Sequence, residues 1–166
     1  MSFSRHLIIL LLCLPLWAQA AAVVEGQVAP QVELPSLTAE GTNISLQDLR
    51  GKVVYLDFWA SWCGPCRVSF PMIEAIYQEL GEQGFEVLAI NVDEYPEDAH
   101  AFLEEMPVSY LVVRDPEGTT PGTYGILGMP TGFLIDREGV VRKVHQGFRK
   151  SDGAKLRAEV LELLQQ

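Results

Sequence analysis

The stretch Val53-Val54-Tyr55-Leu56-Asp57-Phe58-Trp59-Ala60-Ser61-Trp62-Cys63-Gly64-Pro65-Cys66 carries the architecture of this chain. Residues 53–58 form a β-rich run that is apolar on both faces except at Asp57, the pattern of a central strand covered by helices. Beyond the cysteines, Ile73, Ile76 and Leu80 recur at helical spacing, with Pro65 in the first turn and Gly81 just past the end. A helix is therefore predicted over 65–80, with Pro71 expected to kink it. Two cysteines three residues apart stand at a strand-to-helix junction.

Around that junction, residues 85–92 read as a second buried strand, 97–105 as a helix opened by Pro96, and 110–113 as a shorter strand. Residues 132–135 and 140–145 are strands joined by Asp136-Arg137-Glu138-Gly139, a hairpin turn ending in glycine. Ser151 is placed to cap a last helix in which Leu156, Val160, Leu163 and Leu164 share one face. Ahead of the central strand, 32–34 and 43–45 read as a small hairpin before a short helix at 46–49. This order describes an α/β sandwich, a central mixed sheet with helices on both faces.

The 166 residues are 48% hydrophobic and 20% charged, the profile of one globular domain. With 12 Lys+Arg against 22 Asp+Glu the formal charge is -10, which argues against a broad grip on nucleic acid. Arg5 and His6, the apolar run at 7–17 and Ala18-Gln19-Ala20 are the three parts of a secretory signal. Residues 1–20 are thus assigned as a signal peptide and 21–166 as the domain. The apolar run falls short of the roughly 20 residues of a membrane span and contains Pro15; an uncleaved anchor is the alternative. Cys13 leaves with the leader, so the exported chain keeps only Cys63 and Cys66, in a compartment where disulfides form.

At a helix N-terminus, free amides and the helix dipole favour a thiolate on Cys63. A gain of ~1 to 2 kcal/mol there lowers a thiol pKa by roughly one unit or more. Cys66, one turn on, is spaced to attack a mixed disulfide on Cys63 and close an intramolecular ring. Two plainer readings compete. A structural bridge over so short a loop restrains little of the unfolded chain. A metal site needs more ligands, and His100 and His145 lie in other elements without ligand-like spacing. No metal and no organic cofactor is expected.

Asp57 lies six positions before Cys63, and a carboxylate in an apolar strand is costly without a task or a partner. Burial raises its pKa and suits it to trade a proton with Cys66; the alternatives are a surface position at a strand end and a carboxylate satisfied by backbone. In Met129-Pro130-Thr131 a proline stands where a strand begins. A cis Met129-Pro130 bond is expected, leaving the backbone of Met129 free to pair with an extended substrate.

Trp62-Cys63-Gly64-Pro65-Cys66 resembles the thioredoxin active site, Met129-Pro130-Thr131 resembles its cis-proline loop, and Asp57 falls where that family has its buried aspartate. Other features are more similar to the exported TlpA/ResA-type thiol-disulfide oxidoreductases. These are the leader, the segment from Val28-Ala29-Pro30 to Leu49, Asn91-Val92-Asp93-Glu94, the helix near 96–105 and Phe133-Leu134-Ile135-Asp136-Arg137-Glu138-Gly139. The likeness spans about residues 26–165.

The resemblance implies a thioredoxin-like three-layer sandwich and a periplasmic enzyme that reduces disulfide-containing proteins. It implies re-reduction by a membrane thiol carrier of the DsbD or CcdA kind. Cys63 and Cys66 become the redox pair and Asp57 the acid/base, with Trp62, Gly64, Pro65, Met129, Pro130 and Glu94 near the substrate. Two departures stand out. The buried lysine of thioredoxin corresponds to Ala89, so Asp57 lacks that charge partner. Cytochrome c maturation members share Gly125-Ile126-x-Gly128-x-Pro130 but commonly carry Glu where this chain has Thr131.

The alternatives are a cytochrome c maturation role, an oxidase or isomerase using the same cysteines, and a non-catalytic thioredoxin-like binding module. A peroxiredoxin needs a Thr upstream of its cysteine in a Pro-rich motif, which Ala60-Ser61-Trp62 does not supply.

Overall fold

The computed structural model describes residues 22–39 and 41–166; the leader assigned to residues 1–20, with Cys13, lies outside them. The described chain enters through an antiparallel hairpin, β1 (Glu33–Pro35) with β2 (Asn43–Ser45), and a 3-10 turn at Leu46–Leu49. β3 (Val53–Trp59) then leads into α1 (Cys66–Leu80), β4 (Phe85–Asn91) into α2 (Pro96–Glu105), and β5 (Leu111–Arg114) into a short α3 (Thr120–Tyr124). β6 (Thr131–Ile135), β7 (Val141–Gln146) and α4 (Asp152–Leu164) complete it. The sheet order is β5-β4-β3-β6-β7, with β3, β4 and β5 parallel and β6 and β7 antiparallel.

β3 and β4 are buried along their whole length because both faces of the sheet are covered. Strand alternation divides β3 between two cores. Val53, Tyr55 and Trp59 pack with Phe70 and Ile73 of α1, Phe102 of α2 and Leu156 and Val160 of α4. Val54, Leu56 and Phe58 pack on the other face with Leu34, Leu46, Leu49, Tyr124 and Phe133. The three longer helices thus share one face, and the hairpin, the 3-10 turn and α3 cover the other. By parity Asp57 belongs to the face under α1.

The structure departs from the sequence reading in two places. α3 is not among the elements read from the sequence, where Pro121 and Gly122 stand as turn-forming residues. It forms because buried Asp115 accepts the Thr120 N–H at 2.8 Å and its hydroxyl at 2.6 Å. Ser151 precedes α4 without capping it. Asp152 holds that corner instead, its carboxylate accepting the Arg149 N–H at 2.8 Å. α1 continues through Pro71 to Leu80, with the proline on its exposed side.

Candidate redox site

Cys63 and Cys66 are joined in a disulfide, their Cα atoms 5.3 Å apart. A turn delivers the chain from β3 to α1: the Cys63 N–H donates to the Ala60 carbonyl at 3.1 Å, and the Cys66 N–H to the Cys63 carbonyl at 3.1 Å. The same Cys66 amide lies 3.2 Å from the Cys63 sulfur. An amide at the start of α1 therefore points at this sulfur, the arrangement that stabilises a thiolate once the bond is reduced. In the disulfide form both cysteines are buried, Cys63 at 3% exposure and Cys66 at 0%. Trp62, at 70%, with Gly64 and Pro65, forms the exposed rim.

Asp57 is buried, and neither carboxylate oxygen has a hydrogen-bond partner. Burial alone pushes its pKa up to about 8. Its neighbours in register explain why nothing offsets that burial: Ala89 on β4 and Gly132 on β6 bring neither charge nor donor. The lysine position of thioredoxin is thus a methyl group directly beside the carboxylate. Trp59, one turn of the pleat further, is wedged against Phe70 and Phe102 with ring centres 4.8 and 4.9 Å away.

The Met129-Pro130 bond is cis, as the sequence reading expected. Thr131 pairs with Phe58, so this loop stands at the same end of the sheet as the cysteine turn. Met129 packs against the core that holds both cysteines. Among the described residues, the N–H and carbonyl of Met129 enter no backbone hydrogen bond, while the Pro130 carbonyl accepts from the Gly147 N–H at 2.8 Å.

Glu94 is exposed, and its carbonyl accepts from the Arg114 guanidinium at 2.9 Å. The acid that holds the redox turn is its neighbour. Buried Asp93 accepts the Ser61 N–H at 2.9 Å, the Ser61 hydroxyl at 3.0 Å and the Asn91 amide at 2.7 Å. It ties the end of β4 to the turn two residues before Cys63. Sequence reasoning passed over Asp93, although a polar pair, Asn91 and Asp93, at the end of a buried strand was a usable signal. Among the described residues no three His, Cys, Asp or Glu side chains are grouped to hold a metal.

Residues 24–160 match the Redoxin family. The chain is 34% identical over 146 residues to the thiol-disulfide oxidoreductase ResA of Geobacillus thermodenitrificans, covering 88% of this chain and 83% of that relative. It is 37% identical over 131 residues to ResA of Bacillus subtilis, covering 79% and 72%. Among solved structures, a Chlorobium tepidum protein assigned as the thiol:disulfide interchange protein DsbE superposes with a TM-score of 0.82 at 45% identity, over 86% of this chain and 99% of that one. Family, fold and the chemistry of the cysteine pair coincide: the chain belongs to the redoxin family, as a thiol-disulfide oxidoreductase of the ResA type.

Proposed function

We propose that the protein works as an exported reductase of protein disulfides, with Cys63 attacking and Cys66 resolving. The Cys63 thiolate attacks one sulfur of the substrate disulfide, forming a mixed disulfide and releasing the other sulfur as a thiolate that takes a proton. Cys66 then gives its proton to Asp57 and attacks the Cys63 sulfur. The Cys63-Cys66 disulfide closes and the second substrate sulfur departs as a thiolate that takes a proton from water. The substrate gains two electrons and the enzyme dithiol loses them. The observation that carries this assignment is the Cys66 amide directed at the Cys63 sulfur.

Substrate lies along the exposed rim of Trp62, Gly64 and Pro65 and pairs with the free backbone of Met129 ahead of Pro130, Glu94 adding charge at the edge. The leader at residues 1–20 places the enzyme in the periplasm, where a membrane thiol carrier of the DsbD or CcdA kind returns it to the dithiol. Cytochrome c maturation is the second reading, favoured by Gly125-Ile126-x-Gly128-x-Pro130. Thr131, however, is buried with its hydroxyl donating to the Gly128 carbonyl at 2.7 Å, so this side chain offers nothing to a partner.

Insulin reduction by the dithiol form, with Cys66→Ser as a trap, tests the proposal. Turnover by the wild type and stable mixed disulfides on the variant are expected. Oxidation of protein dithiols without reduction of disulfides would replace this direction by the reverse one.

A further inference from the structure

Asp57 must shed the proton it takes from Cys66, and it sits where bulk water does not reach. The residues behind it form a file across three strands. Asp57 on β3 pairs with Gly132 on β6, and Gly132 pairs with His145 on β7, so all three positions face the same way, toward α1 and α4. Gly132 has no side chain, and the Tyr55 hydroxyl occupies its place: a Cβ built on Gly132 would lie 2.0 Å from that oxygen. Only glycine there leaves room for the phenol oxygen on this face of the sheet.

The polar atoms at both ends of this file are unpartnered. Both Asp57 oxygens lack a donor, and His145 Nδ1 is buried with no partner. The Tyr55 and His145 rings are 5.8 Å apart. His145 Nε2 faces a Glu159 carboxylate oxygen at 2.8 Å; in the neutral ring this partner favours the proton on Nε2 and leaves Nδ1 as an acceptor. Lys155 stands 3.8 Å from the other oxygen of Glu159, and Asp152 also faces this corner from α4. Lys143, two residues before His145, is turned to Glu25 at 3.7 Å, and the Tyr110 hydroxyl adds a neutral group near Asp57. Burial, and after it the charges of Asp57, Glu159 and Asp152, hold the Tyr55 phenol well above its ordinary pKa, so it stays protonated and able to donate and accept. His145 opens onto a cavity of about 190 Å³ lined with Phe148, Asp152 and Lys155.

We infer that Tyr55, His145 and Glu159 form a proton path that connects Asp57 with solvent at the β7–α4 edge, behind the redox site. The inference rests on the proposed role of Asp57 as acceptor of the Cys66 proton. The Asp57 proton passes to the Tyr55 oxygen as the phenol proton moves to His145 Nδ1. The Nε2 proton then goes to Glu159 and on to water. In the disulfide form the Asp57 oxygens and His145 Nδ1 make no hydrogen bond to the Tyr55 hydroxyl, so the inferred path requires water or side-chain movement to close these gaps once Cys66 is a thiol. The path leaves the cysteine face free, so the enzyme resets its base while substrate still covers the front.

The test follows two signals in the full chain, starting from a Cys63 mixed disulfide with an aromatic thiol that leaves as a stable thiolate. One signal is closure of the Cys63-Cys66 bond, read from the coloured thiolate. The other is proton release, read with a pH indicator dye. In the wild type, release is expected to keep pace with closure. In Tyr55→Phe and in His145→Ala it should lag closure by about tenfold, and added imidazole should remove the lag in His145→Ala only. Release in step with closure in both variants overturns the path, as does a lag in His145→Ala that imidazole leaves unchanged. Asp57→Asn separates the two claims: if closure itself is as fast as in the wild type, it is the role of Asp57 that fails.

Discussion

Asp57 and Asp93 are both buried carboxylates beside the same turn, and they are opposite in kind. Asp93 is surrounded by donors, from Ser61 and Asn91, and spends its charge on holding the loop before Cys63. Asp57 has no donor at all and, at about 8, binds its proton through most of the physiological range. A protein that can satisfy one buried acid so fully has left the other bare at the place where a proton must change hands. Burial alone therefore does not mark an acid/base group; burial without partners does.

The largest effect expected is at the sulfurs. Cys63→Ser should abolish reduction of protein disulfides, and Cys66→Ser should keep the first attack but accumulate mixed disulfides, visible on non-reducing gels. Retained turnover in Cys63→Ser would move the chemistry away from this corner altogether.

The two acids should then respond to removal with opposite signs. Asp57 binds a proton in the folded state up to about pH 8 but in the unfolded state only below about pH 4. Between those values the folded state holds the extra proton, so stability falls as pH rises, by up to about 1.4 kcal/mol per unit, and levels off above pH 8. Asp57→Asn should remove that slope: urea unfolding should find it more stable than the wild type at pH 9 and indistinguishable below pH 4. Asp93→Ala should instead lose about 1–3 kcal/mol, because the buried Asn91 side-chain amide and the half-buried Ser61 amide lose their acceptor. Both variants destabilised alike at pH 9 would erase the distinction between them.

The smallest effect belongs to Glu94, which the resemblance placed near the substrate and which lies exposed beside Asp93. Glu94→Gln should alter KM for a protein substrate by no more than about twofold, the scale of a solvent-screened charge. A tenfold change would show that charge at this edge selects the substrate.

Much of this could be read from the chain. The near-continuous apolar run at 53–58, the helical spacing after Pro65 and the cysteine pair between them were enough for the sandwich and the redox junction, because a strand covered on both faces keeps apolar residues at almost every position. The isolation of Asp57 was legible in outline, as one charge in an apolar strand. What escaped the sequence depended on contacts between distant segments. α3 exists because of the side chain of Asp115, the redox turn is held by Asp93 from the neighbouring strand, and the Tyr55 hydroxyl lies over Gly132, far along the chain. No local propensity encodes such pairings.

The account turns on whether the unpartnered carboxylate of Asp57 takes the Cys66 proton. Rapid mixing can follow closure of the Cys63-Cys66 bond from a preformed mixed disulfide, in wild type and Asp57→Asn, from pH 6 to 10 in steps of about one unit around the raised pKa. The wild-type rate should rise with pH and flatten above about 8, as the acceptor becomes ionised. Asp57→Asn should be slower by about 100-fold at pH 8 and should lack that inflection. Superimposable profiles for the two proteins would contradict the account.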